Sequence, residues 1–223
     1  MRVASSKESP KPWSPFPVTG TCKIMLAGTS ITRGLYGDSA QDPRGGYRGP
    51  LYERCVRANS RVDFVGSQSA AGQGAGSGHE GYGGINATGM AAFLAARLTT
   101  YTPHVIGIEL GMNEEESAAA AIAMATAILD LCHATLPNSL VLAQNVIPTY
   151  PASLHPLYNA QLAIEIANRR AAGRHIELVD VNRLSGLVPG VVDYSEAVTW
   201  IHPSAIGYPK MAVPLFNQLA RYL

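Results

Sequence analysis

Four kinds of residue in this chain could jointly perform nucleophilic catalysis. Ser30 lies in GTSITRG, just past the apolar run KIMLA (Lys23–Ala27). A small residue and a serine at such a turn expose a hydroxyl above a sheet, where it attacks once a base removes its proton. His202, in WIHPS near the C-terminus, carries the imidazole for that base, and Pro203 fixes the backbone after it. Asn113, in GMNE after the apolar run His104–Leu110, offers an amide to a developing oxyanion. Gly83 or Gly84, in HEGYGG, offers a backbone N–H to the same charge. Taken singly, each has a plainer reading: an N-cap serine, a structural histidine, a turn asparagine, a pliant loop. The order of the four along the chain is what carries weight.

The elements that must position them alternate. Lys23–Ala27, Arg61–Val65, His104–Leu110, Leu140–Ile147 and His175–Val181 read as strands, the third so continuously apolar that both faces must be covered. Helical patterns fall at Tyr47–Arg57, Met90–Thr100 and Glu115–Thr135. A further helix is capped by Ser153 and carries Leu154, Tyr158, Leu162 and Ile166 on one face. The last helix is expected to start near Gly207 or Tyr208, with Pro209 in its first turn, and to reach Leu223. Gly72–Gly84 is too glycine-rich for a regular element and reads as a loop. Five strands separated by helices predict an α/β fold, a three-layer α/β/α sandwich around a five-stranded parallel sheet. Ligands bind such sheets beyond the carboxyl ends of the strands. Gly28-Thr29-Ser30, Gly111-Met112-Asn113 and the loop before His202 all fall there.

Bulk properties narrow the function classes. With 223 residues, 47% hydrophobic and 15% charged, the chain suits one folded domain, residues 22–223, preceded by a Pro/Ser-rich arm at 1–21. A net charge of +1 gives no field for nucleic acid, and no run reaches the ~20 apolar residues that span a bilayer. Neither partner is expected. The N-terminus lacks the apolar core of a signal peptide, so a cytoplasmic location is expected as written, or secretion if a leader was removed. Cys22, Cys55 and Cys132 show no metal or redox spacing and read as core thiols; no metal or cofactor is expected.

The ordered set of Ser30, a glycine in HEGYGG, Asn113 and His202 resembles the SGNH (GDSL-like) hydrolases. YRGPLYER, VDFVGSQS, LPNSLVLAQNVIP, Tyr158-Asn159, LVDV and HPSAIGYPKMA are similar to family 3 carbohydrate esterases, the acetyl xylan esterases, from about Lys23 to Leu223. The resemblance implies a flavodoxin-like strand order 2-1-3-4-5, Ser30 as nucleophile and His202 as base. It also implies an oxyanion hole from the Ser30 N–H, the Gly84 N–H and the Asn113 side chain. Gly84 is preferred to Gly83 because the family's glycine directly precedes the position of Ile85. A small acyl ester is the implied substrate, an acetyl ester, with esters of carbohydrates among the candidates. An acyltransferase with the same nucleophile, or a weakened binding protein, is the alternative.

Three acids of the family pattern are altered. GDS is here Gly28-Thr29-Ser30, GxND is Gly111-Met112-Asn113-Glu114, and DxxH is Thr199-Trp200-Ile201-His202. The acid that orients the histidine is thus absent from its usual place. A Ser–His dyad is the favoured expectation, the ring held by a carbonyl, the Thr199 hydroxyl or water. Asp193 or Glu196 could substitute only through a loop reversal that the sequence does not signal.

Overall fold

The computed structural model describes residues 13–17, 19–36, 40–58, 61–69, 77–114, 117–149, 155–190, 192–196 and 200–222. In chain order the elements are β1 (Cys22–Gly28), α1 (Ser30–Arg33), β2 (Leu35–Tyr36), β3 (Ala40–Gln41), α2 (Arg48–Arg57), β4 (Val62–Phe64), β5 (Glu80–Gly81) and α3 (Ala87–Tyr101). They continue as β6 (Val105–Glu109), α4 (Ala118–Thr135), β7 (Leu140–Gln144), α5 (His155–Ala171), β8 (Ile176–Val179), α6 (Val181–Leu184) and α7 (Gly207–Leu219).

Alternation along the strands builds the layers. In β1, Ile24 and Leu26 join Leu51 and Cys55 of α2 and Met211 and Leu215 of α7 in one core. The intervening Met25 and Ala27 join Met90 and Leu94 of α3, Ile128 of α4 and Leu162 and Ile166 of α5 in the other. Side chains alternate across a strand, so an unbroken apolar run feeds both cores at once. Each fully buried Ile, Leu or Met among them contributes about 1.5–3 kcal/mol. The result is the expected α/β/α sandwich, with strands paired in parallel in the order β4-β1-β6-β7-β8, which in strand succession is 2-1-3-4-5. Helix α4 has the length and apolarity of a membrane span, but Ala121, Ala125, Ile128, Leu129 and Cys132 are packed into this core.

Four expectations need correction. The sheet has a sixth strand: β5, inside the stretch expected to be loop, pairs in parallel with the end of β1, Ala27 with Glu80 and Gly28 with Gly81. A bridge between Gln68 and His79 leads into it. Glycine content hid these pairings, which use backbone groups alone. The fourth helix begins at Ala118 rather than Glu115, because the Ser117 side chain accepts the Ala120 N–H and caps it there. The last strand stops at Val179, where Asp180 accepts the Arg183 N–H and starts α6. The final helix begins at Gly207 as expected but ends at Leu219. The cap at Ser153 lies outside the described residues.

Gly81 is where β5 touches α1. A Cβ there would stand 2.5 Å from the Arg33 nitrogen and 2.8 Å from the Thr32 carbonyl carbon, both backbone and unable to swing aside. Gly81→Ala should therefore cost about 1–3 kcal/mol through forced overpacking. Gly83→Ala, whose methyl would meet only the Leu35 side chain at 3.5 Å, should change stability by less than about 0.5 kcal/mol. Chemical denaturation of the two variants checks this, and equal effects would mean that β5 yields.

Candidate active site

Three loops leave the sheet from one row. Gly28 is level with Gly81 on one side and Glu109 on the other. Ser30, Gly84 and Asn113 each follow that row within four residues.

Ser30 opens α1, a single turn. Thr29 caps it, its Oγ1 accepting the Ile31 N–H at 3.3 Å, and Gly34, at φ 82°, ends it. One turn cannot sustain itself in water, and two buried charged residues hold it at its ends. The Glu109 carboxylate accepts the Thr29 N–H (2.9 Å), the Thr29 hydroxyl (2.8 Å) and the Thr32 hydroxyl (3.0 Å). The fully buried Arg48 donates to the carbonyls of Thr32 (2.9 Å) and Arg33 (3.4 Å). Anion at the N-terminus and cation at the C-terminus match the helix dipole. Burial lowers the Arg48 pKa to about 10, which leaves it charged at neutral pH.

Ser30 and His202 are both buried, and Ser30 Oγ lies 2.8 Å from His202 Nε2. His202 reaches this place through a chain reversal. Tyr194 bridges antiparallel to Pro203, and the Ser195 N–H and Oγ donate to the His202 carbonyl at 2.9 and 3.1 Å. The reversal brings Glu196 under the ring. One Glu196 oxygen is bonded to His202 Nδ1; the other accepts the backbone N–H groups of Ile201 (2.9 Å) and His202 (2.8 Å). The dyad expectation is thereby corrected: a carboxylate holds Nδ1. This fixes the tautomer with Nδ1 protonated and leaves Nε2 as the acceptor facing Ser30.

The other candidates divide. Asp193 does not approach His202: both its oxygens lie 2.7 Å from Lys210 Nζ, and one accepts the Val188 N–H. Thr199 lies outside the described residues. Asn113 Nδ2 donates one hydrogen to the Ile85 carbonyl at 2.8 Å, leaving its second N–H for another acceptor. Glu114 accepts the Ala87 N–H at 2.9 Å. Asn113 and Glu114 thus pin both ends of the loop 85–87, directly after Gly84. Gly84 itself sits at φ 70°, a conformation that favours glycine, with open space where a Cβ would be. Gly83 lacks that conformation. Gly111, at φ 103°, turns the chain toward Asn113 beneath the Tyr158 ring.

Two features of the site escape a reading by sequence. Glu109 falls inside an otherwise apolar strand, although a charged residue ending such a run is itself a signal. Arg48 is one letter of the YRGPLYER motif. His79 is a histidine of another kind: burial first, then Arg48 and Arg33, hold its pKa down to about 3, and it accepts the Gly81 N–H at 2.9 Å as a structural acceptor.

A parallel 2-1-3-4-5 sheet with a serine at the first strand end and a histidine before the last helix is the fold of the SGNH hydrolases, and this chain has it. Among solved structures, it is similar to the family 3 carbohydrate esterase of Clostridium thermocellum, at TM-score 0.76 and 26% identity, over 89% of this chain and 94% of that one. A family 3 carbohydrate esterase from Talaromyces cellulolyticus matches at TM-score 0.76 and 23% identity, over 90% and 97%. The lipase/acylhydrolase from Enterococcus faecalis matches at TM-score 0.65 and 16% identity, over 91% and 98%. The last two, under 25% identical, are likenesses of fold. No family model and no curated protein matches the chain.

Glu196→Gln keeps the shape but offers an amide to Nδ1 and so favours the wrong tautomer. It should lower kcat by about 10³–10⁴, with the melting temperature little changed. Asp193→Asn should instead destabilise the fold and leave kcat per folded molecule near wild type. Steady-state rates on p-nitrophenyl acetate beside thermal melts decide it; an active Glu196→Gln variant would mean that the carboxylate only braces the loop.

Proposed function

We propose that the protein is a carboxylic-ester hydrolase acting through an acyl-enzyme on Ser30, with acetyl esters of carbohydrates as its substrates. The observation that carries the mechanism is the continuous contact from Glu196 through His202 to Ser30 Oγ. In the first half-reaction Oγ bonds to the acyl carbon as its proton passes to Nε2, while Glu196 offsets the charge on the imidazolium. The carbonyl oxygen becomes an oxyanion, and in this reading the Ser30 N–H, the Gly84 N–H and the second Asn113 N–H donate to it. Collapse expels the alcohol, which takes the proton from Nε2. Water then repeats the sequence, releasing the acid and freeing Ser30.

The ester-hydrolase class is supported by the likeness to the Clostridium thermocellum carbohydrate esterase. The sugar ester is the finer part of the proposal and rests on that neighbour together with the matched motifs. Reading the chain as a weakened or inactive binding protein rests on the three altered acids, and the Glu196 carboxylate on His202 Nδ1 favours the hydrolase over it.

Ser30→Ala should abolish turnover of p-nitrophenyl acetate and block labelling by a fluorophosphonate probe; retention of more than about 1% of activity would assign the nucleophile elsewhere. Acetate release from acetylated xylan, compared with a series of p-nitrophenyl esters of rising chain length, tests the substrate. Preference for long acyl chains would overturn the acetyl assignment.

Asn113→Ala should lower kcat by about 10²–10³ with KM nearly constant, as expected of a donor used mainly in the transition state. A change confined to KM would make Asn113 a ground-state contact.

A further inference from the structure

We propose that Glu109 is a positioning residue of this reaction: from beneath the sheet end it clamps the turn carrying Ser30, keeping Oγ on His202 Nε2. The inference rests on the Ser30–His202 reading above and adds to it a residue that touches neither substrate nor base.

The geometry is specific to the nucleophile. Glu109 grips the residue before Ser30, at the Thr29 N–H and hydroxyl, and the residue two beyond it, at the Thr32 hydroxyl. The senses of these bonds are largely fixed. Backbone N–H groups can only donate. The Thr29 oxygen already accepts the Ile31 N–H, so its own hydrogen turns to Glu109. A protonated carboxyl would have little to donate to, so the arrangement is built for the anion. Burial raises the pKa of Glu109, and these donors offset only part of that rise.

Stability alone does not account for such a group. A buried carboxylate without a cation is costly, and an apolar side chain of similar size usually serves a core better. Among the described residues Glu109 forms no ion pair. The packing leaves it no slack either. A Cβ on Gly28 would stand 2.3 Å from the Thr32 hydroxyl and 2.7 Å from a Glu109 carboxylate oxygen. The Thr32 hydroxyl is in turn 2.9 Å from the Tyr47 hydroxyl, tying the turn to α2. A costly charge that grips both flanks of one serine is explained by the placement of that serine.

The test measures Glu109→Gln, Glu109→Asp and the double variant Thr29→Asp/Glu109→Gln in the full chain, on p-nitrophenyl acetate and a fluorophosphonate. The Gln amide turns two donors against the Thr29 and Thr32 donors. It should lower kcat and the labelling rate together by about 10- to 100-fold, with KM steady, as a displacement near 1 Å does. Glu109→Asp keeps the charge without its reach and should fall between. In the double variant the Thr29→Asp substitution places a carboxylate where the threonine hydroxyl stood, 2.8 Å from the old one. It should recover most of the loss, a strong positive coupling. Hydrogen exchange at residues 29–33 gives a readout independent of turnover, and protection should fall there in Glu109→Gln. Folded Glu109→Gln with wild-type rates, or with unchanged exchange at the turn, overturns the clamp while the Ser30 mechanism stands. Wild-type protein that neither labels nor turns over sinks the Ser30 mechanism itself, and exchange still decides whether Glu109 holds the turn.

Discussion

Everything at the site depends on the register of three parallel strand ends. Gly28 of β1 lies between Gly81 of β5 and Glu109 of β6, and neighbouring strands lie about 4.8 Å apart. Once that row is set, the turn with Ser30, the loop with Gly84 and the loop with Asn113 must start side by side. A slip of one residue in any strand would turn its side chains to the opposite face and break the row. The two cores prevent this: Ile24 and Leu26 are committed to one and Met25 and Ala27 to the other. Hydrophobic packing on both faces thus fixes where polar chemistry happens at one edge.

Polar groups then finish what the register begins. Asn113 holds the Ile85 carbonyl and Glu114 the Ala87 N–H, so the loop after Gly84 is tied to the loop after β6. Arg48 and Glu109 hold the two ends of α1. Arg48, Glu109 and Glu114 are buried and Asn113 is half-buried; each would cost energy if unpaired, and each finds a partner in the backbone of a neighbouring loop or turn. Such contacts act over short distances and tolerate little drift, as the 2.8 Å contact between Ser30 Oγ and His202 Nε2 requires.

How much of this is legible beforehand depends on sequence distance. The strands β1, β6, β7 and β8 announce themselves through runs such as VIGIE and LVLAQ, because burial on both faces demands continuous apolar residues. Ser30, Asn113 and His202 stand out by position in the strand succession. β5 does not, since two residues pairing through backbone leave no side-chain pattern. Glu196 enters only as an alternative to the dyad because its place depends on the Tyr194–Pro203 bridge, and nothing in VVDYSEAV signals that turn. Asp193, equally plausible by spacing, is drawn away by Lys210 from α7. Periodicity reports burial, while contacts between a loop and a distant helix leave no trace in it.

The altered acids show what the fold constrains. Thr29 stands where the resembled family has an aspartate, and a carboxylate nonetheless lies 2.8 Å from its hydroxyl, delivered by Glu109 from the neighbouring strand. Thr199 stands at another such position, and a carboxylate nonetheless meets His202 Nδ1, delivered by Glu196 across the reversal. In both cases a carboxyl group is kept and the residue supplying it has moved. Electrostatics depends on where charge sits relative to the groups it acts on, not on which backbone atom carries the side chain. Each relocation imposes its own demand: Glu109 needs a glycine at 28, and Glu196 needs its second oxygen bonded to the Ile201 and His202 amides to hold its angle. A motif scan for acids at 29 and 199 would read this chain as impaired, although a carboxyl group lies against Thr29 and another against His202 Nδ1.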